Sequence, residues 1–226
     1  AGGMIINTQH YLHRALDDKK VILLEGAQGT ALDIDHGTYP FVTSSNTTIG
    51  GALLGTGMNA FDVEQVVGIA KAYVTRVGEG PFPTEDTGEH GAYMREKGAE
   101  YGATTGRPRR CGWADLELLR HARRINGLTS IALTKLDVLS GIGKLRVAVR
   151  YRMNGADLDY FPSTMLHRVE PVYQELDGWD DDITSCESYA QLPANARKYI
   201  DFIEEGSGVR VSVVSVGPDR KNTIVR

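Results

Sequence analysis

Apolar positions change period along the chain, and each change predicts an element. Ile5, Tyr11, Leu12, Ala15 and Leu16 recur at near-helical spacing and predict a helix over residues 4–16. Residues 21–24 are continuously apolar and read as a short strand buried on both faces. Glycines 50, 51, 55 and 57 then break the pattern, so this passage reads as loop. Its run 55–60, G-T-G-M-N-A, matches a dinucleotide fingerprint by letter only, since no strand precedes it and no acidic residue is suitably placed. Asp62 can cap a helix through Val63, Val66, Val67, Ile69 and Ala70.

Residues 73–77 read as strand, and the prolines of 78–85 forbid regular structure. A short polar helix is expected over 89–97. A second, amphipathic helix is expected over 113–126, with Leu116, Leu119, Ala122 and Ile125 inward and Arg120, His121, Arg123 and Arg124 on a solvated face. Residues 129–134 form a buried-type strand. In 145–151, Leu145, Val147, Val149 and Tyr151 alternate with Arg146, Ala148 and Arg150. Asn154-Gly155 supplies a hairpin turn, with a return strand near 157–161. Strands at 169–176 and 209–216 flank a helix over 193–205 that ends near Gly206 and Gly208. Helices alternating with buried strands predict an α/β architecture with an antiparallel hairpin part.

Composition narrows the function. The chain has 226 residues, 41% hydrophobic and 24% charged, with a net charge of −4. That is ordinary for a globular domain and argues against a general nucleic-acid binder. Two cysteines, Cys111 and Cys186, without paired spacing, argue against a disulfide framework or zinc site and for a reducing compartment. No apolar run approaches the ~20 residues that span a membrane, and the first residues lack a signal-peptide core.

Candidate chemistry concentrates in four stretches. Residues 25–48, EGAQGTALDIDHGTYPFVTSSNTT, offer hydroxyls, the Gln28 amide and free backbone N–H groups, the means of holding a phosphorylated small molecule, although a long surface loop has similar composition. Ala103-Thr104-Thr105-Gly106-Arg107-Pro108-Arg109-Arg110 joins two hydroxyls to three guanidiniums, which suit carboxylate or phosphate. Thr134-Lys135-Leu136-Asp137 ends an apolar strand; an Asp there can accept from the N1–H and amino group of guanine, and a Lys stem can cover the base. Such short matches also occur at ordinary strand ends. Ser215-Val216-Gly217-Pro218-Asp219-Arg220 ends another strand, and ligands in open α/β sheets bind beyond such ends. Asp33, Asp35 and His36 crowd one turn, which leaves open a catalytic role or a local, loop-structuring hydrogen-bonding one. His10 and His13 have no third ligand nearby and read as surface histidines.

Together the runs EGAQGTALDIDHGTYPFVTSSNTT, KAYVTRVGEGPFP, GATTGRPRRCGW, LTKLDVL and SVGPDR resemble, in that order, the adenylosuccinate synthetase family. The resemblance implies a mixed, largely parallel sheet flanked by helices, in a P-loop-like GTP-dependent ligase fold of which residues 1–226 are the C-terminal portion of a single domain. It implies a cytoplasmic, homodimeric enzyme that joins IMP and L-aspartate using GTP and magnesium, through 6-phosphoryl-IMP. By the same resemblance Gln28 lies near the reacting purine oxygen, Thr43 at the IMP phosphate, and Val77 and Gly78 near the ribose. Ala103, Thr104, Thr105, Gly106, Arg107, Pro108 and Arg109 form the aspartate loop, with Arg107 also reaching IMP and Arg109 reaching GTP. Lys135, Leu136 and Asp137 read guanine, with Ser215, Val216 and Gly217 as the second wall. Val216 stands where many members have Thr, and residues 59–62 depart from a Gly-Pro turn. The family's Gly-rich phosphate loop is not in this sequence, nor are its general base, its general acid, its magnesium ligand and the arginine that reaches IMP across the dimer. The expectation is therefore an inactive isolated chain. A non-catalytic nucleotide-binding fragment and a ligase for another purine monophosphate remain alternatives.

Overall fold

The computed structural model describes residues 2–102 and 106–226. Helices α1 (Thr8–Asp17) and α2 (Ile49–Thr56) precede strands β1 (Val67–Lys71) and β2 (Val74–Arg76). Helix α3 (Glu89–Lys97) leads to β3 (Arg110–Gly112), β4 (Ala114–Asp115) and helix α4 (Leu116–Asn126). Strands β5 (Ser130–Thr134), β6 (Lys144–Met153), β7 (Ala156–Leu158) and β8 (Glu170–Asp177) follow. Helix α5 (Ala194–Ser207), β9 (Val211–Ser215) and β10 (Thr223–Val225) complete the order.

The architecture is the mixed α/β one expected, divided among three sheets within the described residues. The first has the order β1-β5-β9-β10, with β1, β5 and β9 parallel and β10 antiparallel. Strands β2 and β3 form a two-stranded ribbon. Strand β6 is the spine of the third sheet, parallel to β4 and antiparallel to β7 and β8. One apolar cluster joins these layers through Leu133, Leu136, Leu145, Val147, Ile200 and Val214. Each such side chain, fully buried, contributes about 1.5–3 kcal/mol. Helix α5 buries Ala196, Tyr199, Ile200 and Ile203, at helical spacing. The Tyr199 hydroxyl donates to the Ala72 carbonyl at 2.5 Å, which ties α5 to the exit of β1. No described helix is long and apolar enough to cross a membrane.

Several expectations are corrected. Residues 21–24 form no strand: Val21 and Leu23 are almost fully exposed, and no described strand pairs with them, which an extended apolar run needs in order to be buried. Residues 62–70 are not a helix. A short 3₁₀ turn (Ala60–Asp62) gives way to β1, whose β-branched Val67 and Ile69 fit a pleated strand paired in register with β5. The glycine-rich passage expected as loop is helix α2. The Asn126 side chain caps it, accepting from Ile49 N–H at 3.0 Å. Gly51 is required there, because a Cβ would lie 2.3 Å from the Asn46 carbonyl oxygen. Helix α4 starts at Leu116 rather than 113, capped by the Asp115 carboxylate on Leu118 N–H at 3.1 Å. Its supposedly solvated face is partly packed: Arg120 donates to Gly206 and Val149 carbonyls at 2.8 Å, and His121 stacks on Phe161 at 4.6 Å. In β6 a bulge between Ala148 and Arg150 breaks the alternation, so Ala148 is buried.

Candidate functional site

Parallel pairing brings the C-terminal ends of β1, β5 and β9 to one sheet edge. Lys71 pairs with Thr134, and β9 runs beside β5. Just past β5, Lys135 adopts a left-handed conformation (φ 59°) and starts a 3₁₀ turn (Leu136–Leu139). Leu136 is buried in the core, which leaves Lys135 and Asp137 partly open on either side of it. Burial raises the Asp137 carboxyl above the usual carboxylate range, while the charges of Lys97 and Lys135 pull it back. Past β9, Ser215 donates to the Gly217 carbonyl at 3.0 Å, and Val216 N–H donates to Asn222 at 2.9 Å. A Cβ on Gly217 would lie 2.9 Å from the Asn222 side chain, so this turn needs glycine. The Val216 side chain is fully buried. What this turn offers outward is therefore largely backbone, and a change from Thr to Val alters little of it.

The segments around this edge are fastened to one another by a few charged side chains. Glu100, which has no solvent exposure, accepts from Lys71 Nζ at 2.8 Å, Tyr73 hydroxyl at 2.7 Å and Arg109 Nη1 at 2.6 Å. Lys135 Nζ lies 3.1 Å from the same carboxylate and donates to Gly98 at 2.5 Å. Arg109 N–H donates to the Glu100 carbonyl at 2.9 Å, and Gly106 (φ 63°) closes the loop through Gly102 at 2.8 Å. Arg107 and Pro108 are exposed on this loop. Ala103, Thr104 and Thr105 lie outside the described residues. Arg110 pairs with Glu85 and donates to the Gly80 carbonyl at 2.9 Å. That joins this loop to the stretch carrying exposed Val77 and left-handed Gly78. Arg76 donates to Thr38 Oγ1 at 3.1 Å and the Phe41 carbonyl at 3.0 Å, and so reaches the loop over 25–48.

That loop is built around Asp33. Its buried carboxylate accepts from Asp35 N–H at 2.9 Å, His36 N–H at 3.0 Å and Thr47 N–H at 2.7 Å. Burial opposes its ionisation, but these backbone donors hold its pKa below the ordinary value. Asp35 accepts from Asn46 at 2.6 Å, and His121 Nε2 sits 3.0 Å from the His36 carbonyl oxygen. The loop-structuring reading of Asp33, Asp35 and His36 fits this geometry. Asn126 also donates to Thr30 at 3.0 Å, so one α4 side chain holds the loop and the start of α2 together. Thr43 N–H donates to Leu32 at 2.8 Å. Gln28 is exposed with φ 62°, a left-handed conformation uncommon for a non-glycine residue.

The candidate segments are thus linked in sequence: 28–48 to 78–85 through Arg76, 78–85 to 106–112 through Arg110, and 100–109 to Lys135 through Glu100. The segment 215–217 joins them through strand pairing. Lys71, Arg76 and Glu100 were not anticipated. Nothing local marks a single Glu after a helix, because its importance arises only when Lys71, Tyr73 and Lys135, each 27 to 35 residues away, join Arg109 on it. A hollow of about 550 Å³ elsewhere is lined by Arg120, Arg123, Arg124 and residues 206–208. Arg120 there is already bonded to the Gly206 carbonyl and to Glu117.

Comparison with known proteins gives one family. A family model described as adenylosuccinate synthetase matches residues 2–224. The adenylosuccinate synthetases of Halothermothrix orenii and Moorella thermoacetica are each 53% identical over 224 residues, covering 98% of this chain and 52% of theirs. A solved structure of fully ligated adenylosuccinate synthetase from Plasmodium falciparum superposes with a TM-score of 0.96 at 44% identity, covering 98% of this chain and 54% of that one. The chain spans about half the length of the curated relatives it matches.

Proposed function

The chain belongs to the adenylosuccinate synthetase family, and on that premise we propose that it supplies the guanine-reading, aspartate-binding and IMP-supporting parts of a GTP-dependent carbon–nitrogen ligase. In this reading GTP phosphorylates the 6-oxygen of IMP, and the amino group of L-aspartate displaces that phosphate to give adenylosuccinate in AMP synthesis. The Asp137 carboxylate accepts from guanine N1–H and its amino group, the Lys135 stem covers the base, and residues 215–217 wall it from the β9 side. Arg109 reaches the GTP, and Arg107 bridges aspartate and IMP from the loop 103–109. Gln28 and Thr43 hold the purine and phosphate ends of IMP, with Val77 and Gly78 at the ribose. Residues 1–226 act as the C-terminal portion of one catalytic domain, in a cytoplasmic homodimer.

The supporting observation is the sheet edge itself: parallel β5 and β9 set the segments after Thr134 and Ser215 side by side, with Glu100 fastening Arg109 to Lys135. Among the described residues no group of three or more His, Cys, Asp or Glu converges as a metal site. In this proposal magnesium is held by groups outside these residues, as the family resemblance implies. The general base and general acid are placed there too. Such proton handling is worth roughly 10²–10⁴-fold, so this chain alone should turn over negligibly.

The test is calorimetry of the chain and of Asp137→Asn with GDP and with IMP. The Asn amide turns one acceptor into a donor facing a donor, so GDP affinity should fall on the order of 100-fold, with IMP affinity unchanged. Equal losses for both nucleotides would remove Asp137 from the guanine role. Measurable adenylosuccinate from the 226-residue chain with GTP, IMP, aspartate and magnesium would refute the placement of the proton-handling groups.

A further inference from the structure

The Glu100 cluster does more than fill a gap in the core. Its carboxylate has no solvent exposure, and its donors come from four places: the end of β1, the link from β1 to β2, the exit of β5 and the loop before β3. Oε1 accepts from Lys71 at 2.8 Å and Tyr73 at 2.7 Å, with Lys135 Nζ at 3.1 Å. Oε2 accepts from Arg109 at 2.6 Å and Lys71 at 2.9 Å. Three cations thus face the one Glu100 carboxylate. Buried ionic clusters are poor sources of net stability, so cohesion alone does not account for this one. Lys135 and Arg109 are the informative members. Each has its charged end on Glu100 yet keeps about a third of its side chain open, 35% and 29%.

We propose that Glu100 is a positioning residue for nucleotide capture: by holding the Arg109 guanidinium and the Lys135 ammonium on one carboxylate, it sets the spacing between the aspartate loop and the guanine-reading segment. This rests on the roles given above to Arg109 and Lys135. Glu100 itself is sealed from solvent and acts through the groups it holds. Burial would by itself disfavour its charge, but the hydrogen bonds from Lys71, Tyr73 and Arg109 keep its pKa at about 2. The anchor is therefore charged throughout the physiological range. Without that charge the three cations repel one another, and the two that face the edge lose their common reference point.

Two readouts on the 226-residue chain test this: GDP affinity by calorimetry, and the acetylation rate of Lys135 mapped by mass spectrometry. Glu100→Gln should weaken GDP binding by at least about tenfold and raise Lys135 reactivity several-fold. Glu100→Asp, which keeps the charge on a shorter stem, should recover part of both. Ile200→Val, a core substitution on α5, should lower the melting temperature while leaving both readouts unchanged. A Glu100→Gln protein that binds GDP like the parent with Lys135 equally protected overturns the proposal. If Glu100→Gln does not fold, Glu100→Asp carries the test, and parental values in both readouts overturn it. A parent chain that binds no GDP refutes the functional reading instead. The reactivity of Lys135 then still decides whether Glu100 holds it.

Discussion

Removing the Asp33 carboxylate should loosen the loop over 25–48 without dismantling the sheets. The side chain is fully buried and accepts from three backbone N–H groups, those of Asp35, His36 and Thr47, at 2.7–3.0 Å. Hydrogen bonds to a charged group contribute about 1.5–3 kcal/mol each, and a buried donor left without a partner costs about 1–3 kcal/mol. Three such bonds set an upper bound well above the observed range for single substitutions. The loop can open and let water reach the freed donors, which caps the loss. Asp33→Ala should therefore cost about 3–5 kcal/mol. Asp33→Asn keeps an acceptor for one side of the cluster but turns an amide donor toward another donor, and should cost about 1–3 kcal/mol. The assay is urea unfolding combined with amide hydrogen exchange read at Asp35, His36 and Thr47. Exchange at these three amides should rise while protection in β5 and β9 holds. The pH dependence gives a second check. The folded pKa lies below the unfolded value, so this contribution is present above the unfolded pKa and disappears as pH falls through the folded one. An Asp33→Ala protein within about 1 kcal/mol of the parent, with Thr47 still protected, would refute the reasoning.

Asn126→Ala should cost about 1–2 kcal/mol, because it uncaps Ile49 N–H and releases Thr30; a urea-unfolding change below about 0.5 kcal/mol would count against that stitch. Burial pushes the Asp115 carboxyl up to about 6 even though the Tyr151 hydroxyl and Leu118 N–H favour its charge. Its folded pKa is above the unfolded value of 3.8, so its stabilising contribution is complete below about pH 4 and is lost as pH rises through 6. Relative to Asp115→Asn, which still caps α4, the parent should lose about 3 kcal/mol between pH 4 and pH 7; a stability difference that does not change with pH would refute this.

Elements with one dominant local signal were legible from sequence. The period of α4 and α5, the polar α3 with its boundaries, and the Asn154-Gly155 hairpin belong here. Where two readings competed, packing decided. Val63 to Ala70 satisfies a helical period and a strand equally, and only the pairing of β1 with β5 selects strand. Glycines argued against α2, yet at Gly51 the close approach to Asn46 requires one. Residues 21–24 look like a strand because burial was inferred from composition, whereas a strand is made by a neighbour. Strand β10 is too short to announce itself. At the candidate site, Lys135, Asp137 and residues 215–217 were visible as strand ends, but their adjacency depends on β5 and β9 running parallel. Glu100, Lys71 and Arg76 carried no local signature, since the contacts that join segments, Lys71 to Glu100 and Arg76 to Thr38, span 29 and 38 residues.

That separation has a consequence for the order in which the molecule takes shape. The Asn126 to Thr30 bond closes a span of 96 residues, and the Tyr199 to Ala72 bond a span of 127. Such contacts reward the chain only after its long loops have been drawn together, which makes folding slow relative to a local helical protein. Strands β1 and β5 must already be seated before Lys71 and Lys135 can meet on Glu100. The sheet edge therefore acquires its final arrangement late, and mild denaturant should disarm it while the core cluster is still intact.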